Sequence, residues 1–150
     1  MSDVVSPEKR SRMMSGIKGR NTKPEIIVRK ALYRRGFRYR LHGKHLPGKP
    51  DLVFGRYNTV LFINGCFWHG HDCRLFKWPK SNVDFWKEKF EGNRRRDEKN
   101  VAQLQGDGWH VIIIWECAIR RKNDAERQRL FDRIELEIKN DNRTLISHAG

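Results

Sequence analysis

An apolar run, Thr59-Val60-Leu61-Phe62-Ile63, leads directly into Asn64-Gly65-Cys66-Phe67-Trp68-His69-Gly70-His71-Asp72-Cys73. The first segment reads as a buried strand. The second gathers two cysteines, two histidines, two large aromatics and two glycines within ten residues. Thiolate and imidazole are the donors that tetrahedral zinc prefers. A strand that ends in such groups marks a site, not a core element. The fold must therefore carry a strand whose C-terminal end opens onto a loop of ligands.

Cys66, His71 and Cys73 are separated by four and then one intervening residues. The remaining cysteine is Cys117, just past a second apolar run, Trp109–Trp115. If the two runs lie side by side, their ends meet and Cys117 completes a Cys3His set. Four protein ligands close a zinc site, so such a metal is structural. The alternative is three small buried hydrophobes. An odd cysteine count argues against a disulfide framework.

Charge identifies the class of partner. The chain has 32 Lys plus Arg against 18 Asp plus Glu, a formal +14 in 150 residues. Any one cluster, such as Arg94-Arg95-Arg96 or Arg120-Arg121-Lys122, reads as a solvated helix face. The sum does not, and it points to a polyanion. No apolar stretch reaches membrane-spanning length, and the first residues carry no signal-peptide pattern. A soluble intracellular protein with no membrane partner is expected.

The length suits one domain with a modest core. Residues 1–20 read as a basic arm or short helix, with Met13, Met14 and Ile17 as its apolar stripe. The remainder, 21–150, reads as a single domain. Thr22-Lys23-Pro24-Glu25 starts a helix, with Glu25 in a capping box; it should run to Arg35 and stop at Gly36. Phe37–Leu41 alternates apolar and basic, as a half-buried strand does. Asp51–Phe54 and Thr59–Ile63 follow as two more strands. Ser81 should cap a long helix to about Gln105, with Phe85, Phe90, Val101 and Leu104 as apolar contacts. Trp109–Trp115 reads as a strand buried on both faces. Asp124 to Asn140 is a last amphipathic helix on Leu130, Ile134 and Ile138. The order predicts an α/β fold, a mixed sheet flanked by helices.

Chemistry can be placed on this frame. Asp51 opens a strand and faces a basic groove, the minimum for holding Mg²⁺ on a phosphodiester; a turn aspartate reads equally well. His69 lies between the zinc ligands and suits proton transfer near neutrality; a spare metal ligand or a packed loop residue is the other reading. Glu25 is accounted for by its cap. Phe67, Trp68 and Trp86 could wedge between base steps or cover the zinc lobe.

Together these motifs have a family likeness. Gly48-Lys49-Pro50-Asp51, the Asn64–Cys73 run, Phe85-Trp86 with the basic helix after it, and Val111–Cys117 closely resemble the very-short-patch repair (Vsr) mismatch endonucleases. So do Arg10–Met14 and Asn21–Glu25. The resemblance covers roughly residues 8 to 122. It implies a restriction-endonuclease-like core and a Mg²⁺-dependent enzyme. Such enzymes nick one strand 5′ of the thymine in T·G mismatches left by deamination of 5-methylcytosine. It implies that Asp51 and the backbone carbonyl of Ile63 bind Mg²⁺. His69 would be the general base, supported by Glu25. Cys66, His71, Cys73 and Cys117 would hold Zn²⁺, and Phe67, Trp68 and Trp86 would enter the duplex. Apart from the resemblance, the basic run Arg94, Arg95 and Arg96 is a candidate DNA-binding segment.

The family pattern carries a threonine where this chain has Ile63, which a carbonyl ligand tolerates. It carries a histidine where this chain has Asn64, a neutral donor to the scissile phosphate. A monomer in the bacterial cytoplasm, associated with the nucleoid and with mismatch-repair proteins as candidate partners, is expected. The competing function is a non-catalytic, zinc-stabilised module that binds distorted duplex.

Overall fold

The computed structural model describes residues 22–140 and 145–149. The expected N-terminal arm, with Arg10–Met14 and Asn21, lies outside the described residues.

Helix α1, Lys23–Arg34, begins as expected: the Thr22 hydroxyl accepts the Glu25 N–H at 3.4 Å and proline sits in the first turn. It stops at Gly36, whose φ of +94° a side chain would resist. Strands β1 (Arg40–Leu41), β2 (Leu52–Phe54) and β3 (Thr59–Asn64) pair antiparallel. A crossover helix α2, Val83–Gly106, leads to β4, His110–Trp115, parallel to β3. Helix α3, Asp124–Lys139, leads to β5, Leu145–His148, parallel to β4. The result is a mixed five-stranded sheet in chain order, flanked by helices.

Period-two alternation sorts the core to two faces. On one face Leu61, Ile112 and Ile114 meet Val28 and Leu32 of α1 and Leu130, Phe131, Ile134 and Ile138 of α3. On the other, Val60 and Val111 meet Val101 and Leu104 of α2. Full burial of side chains such as Leu32 and Ile134 contributes about 1.5–3 kcal/mol each. Arg35, at the end of α1, bonds Asp132 at 2.6 Å and Gln128 at 2.7 Å on α3 and closes that face.

Four expectations are corrected. Only Arg40–Leu41 of the first strand pairs; Phe37 is buried and Tyr39 packs on Phe54, so the alternation is real but the ladder is short. The cap of α2 is Asn82, in the left-handed conformation and without a side-chain bond, not Ser81. Phe85 is 59% exposed and contributes nothing to the core. Glu25 does not return its carboxylate to the cap: it is 1% exposed and turned inward. Strand β5 was not foreseen.

Candidate active site and metal centre

Two parallel strands ending side by side leave a crevice at their carboxyl ends. Here the loop after β3 and the turn after β4 border a groove of about 620 Å³, lined by Asp51, Ile63, Asn64, Trp68, His69 and Asp97 among others. Asp51 enters from the start of β2. The turn before it needs Gly48, at φ +75°, where a Cβ would lie 3.2 Å from Asn100 and Phe62. Asp51 Oδ2 accepts the Ile63 N–H at 2.7 Å, so the carboxyl sits at the last rungs of β3.

Burial pushes the Asp51 pKa up to about 8, and the neighbouring Glu25 carboxyl adds to the rise; the Ile63 N–H opposes it. Glu25 itself is held by Arg29 Nη1 at 3.2 Å and by His42 Nε2, 3.3 Å from both carboxylate oxygens. Two adjacent acidic groups whose shared charge is unfavourable form an oxygen-donor set suited to a hard divalent cation.

Helix α2 grips the ligand-bearing loop from the other side. Asn93 Nδ2 donates to the Trp68 carbonyl at 2.7 Å, and Arg94 donates to the carbonyls of His69, at 3.0 Å, and Gly70. Asp97 meets His69 Nδ1. Gly70 is required here: φ is +57°, and a Cβ would lie 2.9 Å from Arg94 Nη2 and 3.1 Å from Phe90 Cβ. Trp115 backs the two histidines, stacked on His71 at 4.0 Å and edge-on to His69 at 5.6 Å. Its indole N–H donates to Ser147 of β5 at 3.0 Å.

Behind the loop, one donor atom each from Cys66, His71, Cys73 and Cys117 lies within 4.8 Å of every other. The register explains the meeting: Asn64 pairs with Trp115, so Cys66 and Cys117 emerge two residues on from paired positions. Cys117 Sγ is 3.7 Å from His71 Nδ1, within the edges of about 3.5–3.8 Å that zinc bond lengths give a tetrahedron. Burial, reinforced by Cys73 and Cys117, raises the Cys66 pKa, while backbone N–H groups at Leu75 and Phe76 help hold that of Cys73 below the usual thiol value. Three thiols and one imidazole at these separations are a donor set that fits zinc. Glu116 accepts the Cys66 N–H at 3.3 Å and Arg74 donates to the Cys117 carbonyl at 3.1 Å, tying the two halves together.

The aromatics form a wall. Phe67 packs on Trp68, Phe76, Trp86 and Phe90, with ring centroids 5.3–6.2 Å apart. Trp68 reaches the groove and lies 6.2 Å from Trp86. Arg95 and Arg96 are exposed, Arg96 bonding Asn93 at 3.4 Å. Sequence reasoning missed Asp97, Asn93, Trp115 and His42. The signal for the first two was the spacing of Asn93, Arg94 and Asp97, which share one helix face.

Comparison with known proteins agrees with the geometry. Residues 2–75 match the family model described as DNA mismatch endonuclease Vsr. The chain is 48% identical over 139 residues to the type II nicking enzyme V.NmeAIP of Neisseria meningitidis, covering 93% of this chain and 98% of that protein. It is 48% identical over 119 residues to the type II nicking enzyme V.XorIIP of Xanthomonas oryzae, covering 79% and 88%. It is 40% identical over 135 residues to the DNA mismatch endonuclease Vsr of Escherichia coli K12, covering 90% and 86%. At such identity over most of both lengths, the chain belongs to the Vsr family of DNA mismatch endonucleases.

Proposed function

We propose that this protein nicks one strand of duplex DNA 5′ of the thymine in a T·G mismatch, in a Mg²⁺-dependent reaction, and so begins repair of deaminated 5-methylcytosine. The observation that carries the reading is the meeting of Asp51, bonded to Ile63, and His69 in one groove.

Asp51 and the Ile63 carbonyl would hold Mg²⁺, which when bound polarises a phosphoryl oxygen and neutralises developing charge. Asp97 occupies His69 Nδ1, which leaves Nε2 to take the proton of the attacking water. Asn64 donates a hydrogen bond to a phosphate oxygen. Glu25 supports the acidic side of the groove, chiefly through Asp51. Zinc on Cys66, His71, Cys73 and Cys117 fixes the loop that carries His69 and takes no part in the hydrolysis.

Phe67, Trp68 and Trp86 supply the wedge that opens the stack at the mismatch. Arg95 and Arg96 are exposed on α2, where they would meet phosphates, and Arg94 would combine such a contact with its hold on the loop. The strand order and the acidic strand end suit a restriction-endonuclease-like core in one nuclease domain, 21–150. The protein acts as a monomer in the bacterial cytoplasm, with mismatch-repair proteins as its partners.

The test compares T·G and T·A duplexes with and without Mg²⁺. Nicking confined to the T·G duplex and to Mg²⁺ is expected. Equal nicking of both duplexes would assign a different lesion, and tight binding without cleavage would favour the DNA-binding module.

A further inference from the structure

His42 carries a role that the groove alone does not reveal. It follows β1 and adopts the left-handed conformation, φ 51°, which histidine enters more readily than most residues. In that conformation its main-chain N–H donates to the Asp51 carbonyl at 2.9 Å, one step beyond the Leu41–Leu52 pair. Its ring Nε2 lies 3.3 Å from each oxygen of Glu25. The same residue thus touches the backbone of Asp51, which lines the groove, and the side chain of Glu25, buried behind it.

Glu25 depends on such a partner. Its side chain is 2% exposed, and a buried carboxylate without donors is costly. Arg29, one turn further along α1, supplies a second donor to Oε2. Arg29 approaches along the helix and fixes Glu25 relative to α1. The contact from His42 ties it to the sheet that carries Asp51.

We propose that His42 is a positioning residue of the acidic pair, setting the placement of the Glu25 carboxylate against Asp51 and thereby the affinity of the groove for a divalent cation. The inference rests on the reading of Asp51 as the residue that holds the cation. The side chains of Asp51 and Glu25 are themselves within hydrogen-bond contact, so a shift of one is felt by the other.

Two substitutions isolate the contact. His42→Asn keeps a residue that favours the left-handed conformation, so the turn survives, but it is too short to reach Glu25. His42→Gln places an amide N–H close to the position of Nε2. The probe is Mn²⁺ binding to the zinc-loaded protein without DNA, followed by the electron paramagnetic resonance of free Mn²⁺. Melting without added Mn²⁺ and the Mg²⁺ half-saturation of nicking are read alongside.

His42→Asn should weaken Mn²⁺ binding about tenfold, the scale of one hydrogen bond to a charged group. Its melting temperature should fall by only a few degrees, because Glu25 loses one donor but keeps Arg29. His42→Gln should bind within about twofold of the parent. In a Glu25→Gln background, His42→Asn should add no further loss. Unchanged Mn²⁺ affinity in His42→Asn, or an equal loss in His42→Gln, would overturn the inference. An undiminished loss in the Glu25→Gln background would do the same. Asp51→Asn separates the two claims: if it binds Mn²⁺ like the parent, the cation reading falls and this inference with it. If it loses Mn²⁺ while His42→Asn does not, only the role of His42 falls.

Discussion

Asp51 combines three properties that rarely meet by accident: it is half-buried at the groove, it bonds the amide at the end of β3, and another carboxyl lies beside it. In the proposed function such a group serves the cation and not the basic face that meets DNA. Asp51→Ala should therefore lower single-turnover nicking by about a thousandfold or more while duplex binding changes little. Robust cleavage by this variant would end the assignment. Asn64 offers a neutral donor, and a charge-assisted bond is roughly twice as strong. Asn64→Ala should slow nicking about tenfold, against a loss of about a hundred- to ten-thousandfold for His69→Ala. If the two variants are equally dead, Asn64 does more than contact phosphate. A third residue bears on stability. His110, at the base of β4, is 3% exposed, and burial lowers its pKa although Glu137 of α3 pulls the other way. The unfolded chain then binds the extra proton first, so stability falls as pH drops below about 6.5. His110→Leu should flatten the decline of melting temperature between pH 6.5 and 4.5 relative to the parent. A parallel decline would show that other groups govern acid unfolding.

At the scale of elements, the zinc lobe is a loop clamped between two strand ends and one helix. Its aromatic side chains pack on α2, and zinc held by its four donors would add folding free energy. One zinc per chain is expected in the purified protein. Cys117→Ser should lose it and melt about 10 °C lower, since a few kcal/mol moves a domain of this size by roughly that much. A metal-free protein that melts normally would refute the site. Cys66, His71, Cys73 and Cys117 could be grouped from sequence because a parallel pairing of two apolar runs brings their ends together, and that pairing occurs. The same logic placed α1, α2 and α3 within one or two residues, since each carries a clear stripe. It failed where the signal was local and weak. Leu145–His148 is four residues with an exposed leucine, so no period marks it as β5. Asp97 sits directly after three arginines and reads as charge compensation, yet it faces His69. Glu25 looked like a cap because Thr22 does bond its N–H; only the packing of β1 against α1 shows that its carboxylate points the other way. Side-chain direction at a helix start is decided by tertiary contacts that no spacing encodes.

Across the whole molecule, the sheet gathers the chemistry at one end. The residues at the β3 and β4 ends, the start of β2, Trp68 of the aromatic wall and Asp97 of α2 border the groove, while α1 and α3 pack one sheet face. A net charge of +14 on such a body must govern its approach to a polyanion. Two kinds of contact should then separate experimentally. Phosphate contacts release counterions and act on any sequence, so the log of the association constant should fall linearly with the log of salt concentration. Arg95, exposed on α2, belongs to this class: Arg95→Ala should reduce the slope by about one and weaken matched and T·G duplex alike. Trp68 belongs to the other class, because its indole borders the groove without carrying charge. Trp68→Ala should leave the slope unchanged and cost about 1–3 kcal/mol on the T·G duplex alone. The measurement is a salt titration of both variants on both duplexes by fluorescence anisotropy. Equal losses for Trp68→Ala on matched and mismatched DNA would identify its ring as part of the loop's packing, and the recognition of the distorted step would have to come from elsewhere in the aromatic wall.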